Sequence, residues 1–313
     1  MNVTKPIRIS LVVAALATSA HADSGEAALQ PHDLWRAWSW DPLIVIALLL
    51  SAAFYVRGLL VMRRDGALHS ITRWQVMSFV TGCFALVIAL LSPLHRLGLA
   101  LFSAHMSQHE LLMLIAAPLL VLGRPLIIFI WAFSPVARSR IGVFTKSKVF
   151  STAWRAGTAP VLVWLLHGFT LWIWHLPALY QATLRSDFIH ALQHLSFLGT
   201  ALLFWWTLVH GRYGHMGYGA AVLYIFTTAV HSSILGALLT FARTVWYPIY
   251  DGRTIPFGLT ALEDQQLGGL IMWIPSGIVF VVIGLALFAA WIGESERRVA
   301  YTQSESLLRG GAE

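Results

Sequence analysis

The sequence predicts an all-α fold: a polytopic membrane bundle of seven transmembrane helices behind a cleavable signal peptide, N-terminus outside and C-terminus inside. Three observations carry that reading. Of 313 residues, 58% are hydrophobic and 11% charged, where soluble domains hold about 25% charge. Seven apolar stretches are long enough to cross a bilayer, which takes roughly 20 residues. The Lys and Arg residues outside those stretches gather on one side of the alternation they impose.

Residues 1–22 have the three parts of a secretory leader: Lys5 and Arg8, an apolar run from Ile9 to Ala17, and an Ala20-His21-Ala22 cleavage pattern. The apolar run is too short to span. The rest, 23–313, reads as one membrane domain with spans at 43–61, 74–92, 99–122, 158–176, 188–209, 219–241 and 267–292. Segments 62–73, 123–157, 210–218 and the tail from 293 carry thirteen Lys and Arg residues. The opposite side carries five, Arg36, Arg96, Arg185, Arg243 and Arg253. The excess places the first group in the cytoplasm. In 123–157 the run "PLIIFIWAF" is too short to cross and precedes Arg138, Arg140, Lys146 and Lys148, so an interfacial helix is expected there. Pro118 should bend the third span or free a carbonyl in it.

The net charge of +7 is accounted for by this loop bias, which argues against a nucleic-acid partner. Cys83 is the only cysteine, which excludes an intramolecular disulfide, a redox CxxC pair and a thiolate-rich cluster.

Unusual polar residues, sorted by depth, fall at one membrane face. His105 and His109 lie near the outer end of span three, and His175 closes span four. His190 and His194 open span five, and Glu263 and Asp264 precede span seven. His95 follows span two on the same side. Residues i and i+4 share a helix face, so His105 with His109 and His190 with His194 form two potential chelating pairs. Met113 extends the first stripe, and Asp264, Gly268 and Met272 share one side of span seven, where Gly268 and Gly269 allow close approach. Imidazole suits zinc, copper and iron, and thioether adds a preference for Cu(I), so Met106, Met113 and Met272 tilt the expectation to copper. Haem between paired histidines, and zinc, remain alternatives. A zincin site is excluded, because His109-Glu110 has no second histidine at the required spacing. His167 and His231 lie nearer mid-membrane and are open to either a packing or a site role.

The stretches "SPLHRLGLALFSAHMSQHELLMLIAAPLLVLGRP", "WHLPALYQATLRSDFIHALQHLSFLGTALLFWW" and "LEDQQLGGLIMWIP" resemble the CtaG family of cytochrome c oxidase assembly factors of the caa(3) type. The resemblance runs from about residue 40 to 292. Ala117-Pro118 departs from it, standing where a Pro-Pro pair is expected. The resemblance implies seven spans and a role in maturing a haem–copper oxidase, with that enzyme's subunits as partners. It maps the family's motif histidines to His105, His109, His175, His190 and His194, and its acidic motif to Glu263 and Asp264. The expected protein is a multi-pass factor of the bacterial inner membrane, not a catalyst, with a copper pocket facing the periplasm. Its ligands would be His105, His109, His190, His194, His175, Asp264 and Met272. The competing readings are a haem-binding membrane electron carrier, a copper transporter using His167 and His231, and a scaffold without metal.

Overall fold

In a computed structural model, residues 31–210 and 216–310 are described, with side chains of the last helix described through residue 297. The leader expected at 1–22 lies outside the described residues. The described chain is mainly helical: twelve α-helices, most of them joined by short turns, with a longer connection, 241–260, ahead of the last. These are α1 (Pro42–Arg64), α2 (Arg73–Leu90), α3 (Pro93–Gly98) and α4 (Phe102–Leu122). Three helices follow at one end, α5 (Pro125–Trp131), α6 (Pro135–Lys146) and α7 (Lys148–Gly157). Then come α8 (Pro160–Trp174), α9 (Pro177–Thr183), α10 (Asp187–His210), α11 (Tyr218–Thr240) and α12 (Ala261–Gly310).

Six of these, α1, α2, α4, α10, α11 and α12, are long and apolar enough to cross a membrane. The fourth expected span differs. Helix α8 has fifteen residues, and reaches spanning length only together with α7, from which it is bent by 52°. The break follows from Pro160, whose ring keeps Ala159 extended (φ −62°, ψ 128°) and out of the helical region. The "PLIIFIW" run is helical and too short to cross, as expected. It docks as α5 on α1, burying Ile128 completely. Gly58 permits this, since a Cβ there would strike the Ile128 carbonyl.

Local sequence explains the helix starts. The Asp41 carboxylate accepts from the amides of Leu43 and Ile44 ahead of Pro42, and Thr72 with Gln75 forms a capping box on α2. Outward faces are apolar, with Leu49, Leu60, Val161, Leu195 and Leu285 each more than half exposed. In water such a surface would aggregate, whereas lipid covers it without cost.

Helix α4 changes character midway. Residues Leu111–Ala116 form a π-helical turn, in which Ala117 N donates to Leu112 O. Pro118 has no N–H to follow in that register, so Met113 O is left for another donor. The indole of Trp205 on α10 supplies it at 2.7 Å. The carbonyl expected to be freed by Pro118 thus ties α4 to α10.

The start of α4 lacks a cap from its own side of the chain, because Leu101 occupies that position. Asp264 of α12 supplies it. Its carboxylate accepts from Phe102 N at 2.6 Å, from Ser103 N at 3.2 Å and from the Ser103 hydroxyl. Gly268, one turn on, lets the Phe102 ring lie against α12, where any Cβ would collide with it. Gly236 and Gly269 similarly bring α11 and α12 together, Gly269 lying against Thr240 and the Gly236 carbonyl.

Because buried charge-assisted bonds hold the first turn of α4, Asp264→Ala should destabilise the protein by about 2 kcal/mol. Asp264→Asn, which keeps one acceptor, should cost less. Thermal unfolding of the detergent-solubilised variants checks the order; equal stability of all three forms would contradict it.

Candidate metal centre

The chain topology brings the end of α2, the whole of α3, the starts of α4 and α10, and the end of α8 to one end of the bundle. His105 and His109 project from α4, with rings 4.5 Å apart. His190 and His194 project from α10, 4.3 Å apart. The pairs face each other. His105 lies 5.0 Å from His190 and 5.6 Å from His194, and His109 lies 5.5 Å from His194. His95, on α3, stacks on His190 at 5.2 Å and lies 6.3 Å from His194. His175, just beyond α8, lies 6.1 Å from His109. Six imidazoles from four sequence segments therefore occupy one volume.

Burial is severe. His105 and His109 have no exposed surface, and His175, His190 and His194 are buried. His95 is half-buried. Hydrogen bonds fix two tautomers. His105 Nε2 lies 3.1 Å from Gln193 Oε1, an acceptor only, so Nε2 carries the proton and Nδ1 keeps its lone pair. His175 Nδ1 lies 2.6 Å from the Leu171 carbonyl, so Nε2 keeps its lone pair and faces Met106 Sδ at 3.4 Å. A neutral thioether has no proton to give, so two donor lone pairs confront each other there.

Other nitrogens have no protein partner at all. Nδ1 of His105, both nitrogens of His109, and Nε2 of His190 and His194 are buried and unbonded. Each such group costs about 1–3 kcal/mol. Among the described residues, two groupings place ligand atoms within 4.8 Å of one another: His105, His109 and His194, and His95, His190 and His194. Three imidazoles at that spacing match the ligand set of a mononuclear metal site.

A lid of aromatic residues closes the cluster. The Tyr180 ring lies 5.2 Å from His105, and its hydroxyl is 2.8 Å from that of Tyr250, which in turn donates to Gly98 O at 2.9 Å. Tyr247 donates to His175 O at 2.8 Å. Burial raises the Tyr250 phenol well above its ordinary range, so it stays a donor.

The structure brings together five of the residues that the sequence nominates: His105, His109, His175, His190 and His194. Asp264 is in neither grouping, and both its oxygens are engaged at the start of α4. Met272 belongs to the buried apolar cluster that also holds Phe102, Met106 and Met113. Glu110 is in neither grouping. Sequence reasoning left out His95 as a ligand, and missed two glutamines entirely. Gln108 donates to Ala89 O at 2.7 Å and lies 3.3 Å from His95 Nδ1, while Gln193 holds His105. Both are fully buried. A signal existed: "HMSQH" and "HALQH" are the same His-x-x-Gln-His pattern. In each, the glutamine steadies a histidine of another helix.

Comparison with known proteins agrees with this architecture. The family profile described as "Cytochrome c oxidase caa3 assembly factor (Caa3_CtaG)" matches residues 53–294. Uncharacterized proteins of Mycobacterium bovis and Mycobacterium tuberculosis are each 27% identical over 273 residues, covering 84% of this chain and 40% of theirs. One of Mycobacterium leprae is 27% identical over 281 residues, covering 86% of this chain and 42% of its own. The chain thus spans about two fifths of the length of the curated relatives it matches. No solved structure matches it. With more than half of its length matched, the chain belongs to the cytochrome c oxidase caa3 assembly factor family.

Proposed function

We propose that this chain binds a copper ion in the histidine cluster and passes it to a haem–copper oxidase during that enzyme's assembly. The cluster faces the periplasm of the bacterial inner membrane, as the distribution of Lys and Arg suggests. The role is delivery, not catalysis. The observation that carries the reading is the set of buried imidazole nitrogens without a partner, at the spacing of a three-nitrogen site. A cation at one three-imidazole grouping would meet one lone pair from each of its rings, replacing the missing partners with strong bonds.

Copper is favoured over zinc by Met106 and His175. Their donor atoms are 3.4 Å apart. Bonds of about 2.0 Å to nitrogen and 2.3 Å to sulfur would meet there near the tetrahedral angle. Thioether selects Cu(I). Packing argues for an ion rather than haem, since a macrocycle placed between any two of these rings would overlap a third. His167 and His231 give the transport reading little support. The first engages Thr200 Oγ1 at 3.2 Å; the second packs edge-on to Trp164 with both ring nitrogens unpartnered, and among the described residues neither belongs to a three-ligand grouping.

Replacing His105 and His109 together by Ala should abolish copper binding in the purified protein, measured by inductively coupled plasma analysis. Insertion should be unchanged, with a reporter fused after residue 313 still reading as cytoplasmic. Unchanged copper content, or a Soret band in the wild-type protein, would contradict the assignment. Met106→Leu should weaken Cu(I) binding about tenfold while leaving Zn²⁺ affinity unaltered, as expected for a soft ligand. Competition titration with chromophoric chelators of each metal reads both.

A further inference from the structure

One cation stands inside a membrane span. Arg57 lies on α1, seven residues before Arg64, where the helix ends. A rise of about 1.5 Å per residue puts it about 10 Å inside the spanning segment. A charge at that depth is costly unless something meets it. The Arg57 Nε donates to Ala132 O at 2.7 Å, just past the end of α5. Among the described residues that is its one hydrogen bond, and no carboxylate pairs with it. Its side chain is exposed, so both terminal nitrogens of the guanidinium are left for an acceptor outside the protein. Arg138 on α6 differs, because its charge is met. It pairs with Asp65 at 3.2 Å and lies over the Trp131 ring at 4.2 Å.

Arg57 lines a groove of about 380 Å³ between α1 and the α5–α6 turn, together with Ala53, Phe54, Ala132, Phe133 and Ser134. Sites for small ligands hold about 300–1,000 Å³. Phe54 and Phe133 form an apolar wall, both exposed and with rings 5.6 Å apart. Ser134 caps α6, its Oγ accepting from Ala137 N at 3.4 Å, so the positive end of that twelve-residue helix lies at the groove. No carboxylate is among the lining residues. From the groove α6 leads to the Arg64 end of α1, where Arg138 meets Asp65. The distribution of Lys and Arg makes that the cytoplasmic end.

We propose that this groove binds the phosphodiester headgroup of an anionic phospholipid from the cytoplasmic leaflet. Arg57 grips the phosphate, and Phe54 and Phe133 receive the start of an acyl chain. A guanidinium can meet two phosphate oxygens at once. An anionic headgroup fits better than a zwitterionic one, because a headgroup ammonium would meet Arg57 and a helix start with no carboxylate to receive it. The occupant is a lipid rather than a free anion, because the cation sits at membrane depth beside exposed apolar walls. A lipid held there links α1 to the α5–α6 turn. The groove is separate from the histidine cluster, and no part of this inference depends on copper.

The test is native mass spectrometry of the full chain, delipidated in detergent and titrated with dioleoyl phosphatidylglycerol or dioleoyl phosphatidylcholine. Wild type should hold one phosphatidylglycerol about tenfold more tightly than phosphatidylcholine. Arg57→Gln should lose about tenfold in phosphatidylglycerol affinity, as removal of a charge-assisted pair does. Arg57→Lys should keep part of that affinity, since it retains the charge but not the planar fork. Ala53→Trp, which fills the groove and leaves Arg57 in place, should lose the lipid as well. Arg140→Gln, which removes a cation of α6 outside the groove lining, should bind like wild type. Equal affinity of wild type for both lipids would overturn the proposal. So would Arg57→Gln binding like wild type, or an Arg140→Gln loss equal to that of Arg57→Gln. Displacement of the lipid by millimolar inorganic phosphate would overturn the lipid assignment in favour of a free anion. Should Arg57→Gln aggregate, Ala53→Trp decides: phosphatidylglycerol held as tightly as in wild type contradicts the site.

Discussion

Imidazole rings withdrawn from water, with lone pairs that no protein donor meets, are the constraint on which the rest of this structure depends. A buried polar atom without a partner costs about 1–3 kcal/mol, and five such nitrogens lie within one small volume. Ordered water or a bound cation would offset that cost. The surrounding architecture makes sense as the means of holding these rings in place against their own desolvation. Gln108 and Gln193 brace individual rings, the Leu171 carbonyl orients His175, and the Tyr180–Tyr250 pair closes the end of the cluster.

Helix α4 is the element through which these constraints act. It carries His105 and His109, yet its first turn is capped from α12 by Asp264 and its middle is tied to α10 by the Met113 carbonyl and the Trp205 indole. Pro118 explains the second tie. By removing one donor it leaves a π-helical turn immediately after the histidines and exposes a carbonyl that another helix must satisfy. The position of His105 and His109 along α4 is thus fixed at both ends by other helices, in a lipid environment where loose polar groups are costly.

Much of this was legible in the sequence. Long apolar runs gave the spans α1, α2, α4, α10, α11 and α12, and the i,i+4 spacing gave both histidine pairs. The depth sorting placed His175 with them. What was not legible has physical reasons. The fourth span is shorter than expected because Pro160 starts its helix and Pro177 keeps Leu176 extended just after it, and hydropathy does not register the direction of the chain before a proline. Asp264 looked like a ligand because its neighbours in sequence are on the right face, but whether a carboxylate meets an ion or a bare helix start depends on a residue 162 positions away. His95 was undervalued because a loop histidine without an i+4 partner has no periodic signal. The repeated His-x-x-Gln-His pattern carried information about the braces that residue-type reasoning alone did not use.

The central claim is that these imidazoles, and not the carboxylates or solvent, hold the copper. X-ray absorption at the copper edge on the Cu(I)-loaded protein tests it directly. The account predicts nitrogen scatterers at about 2 Å with the multiple-scattering pattern of imidazole rings, two or three per ion. A spectrum dominated by oxygen, or one without imidazole features, would contradict it.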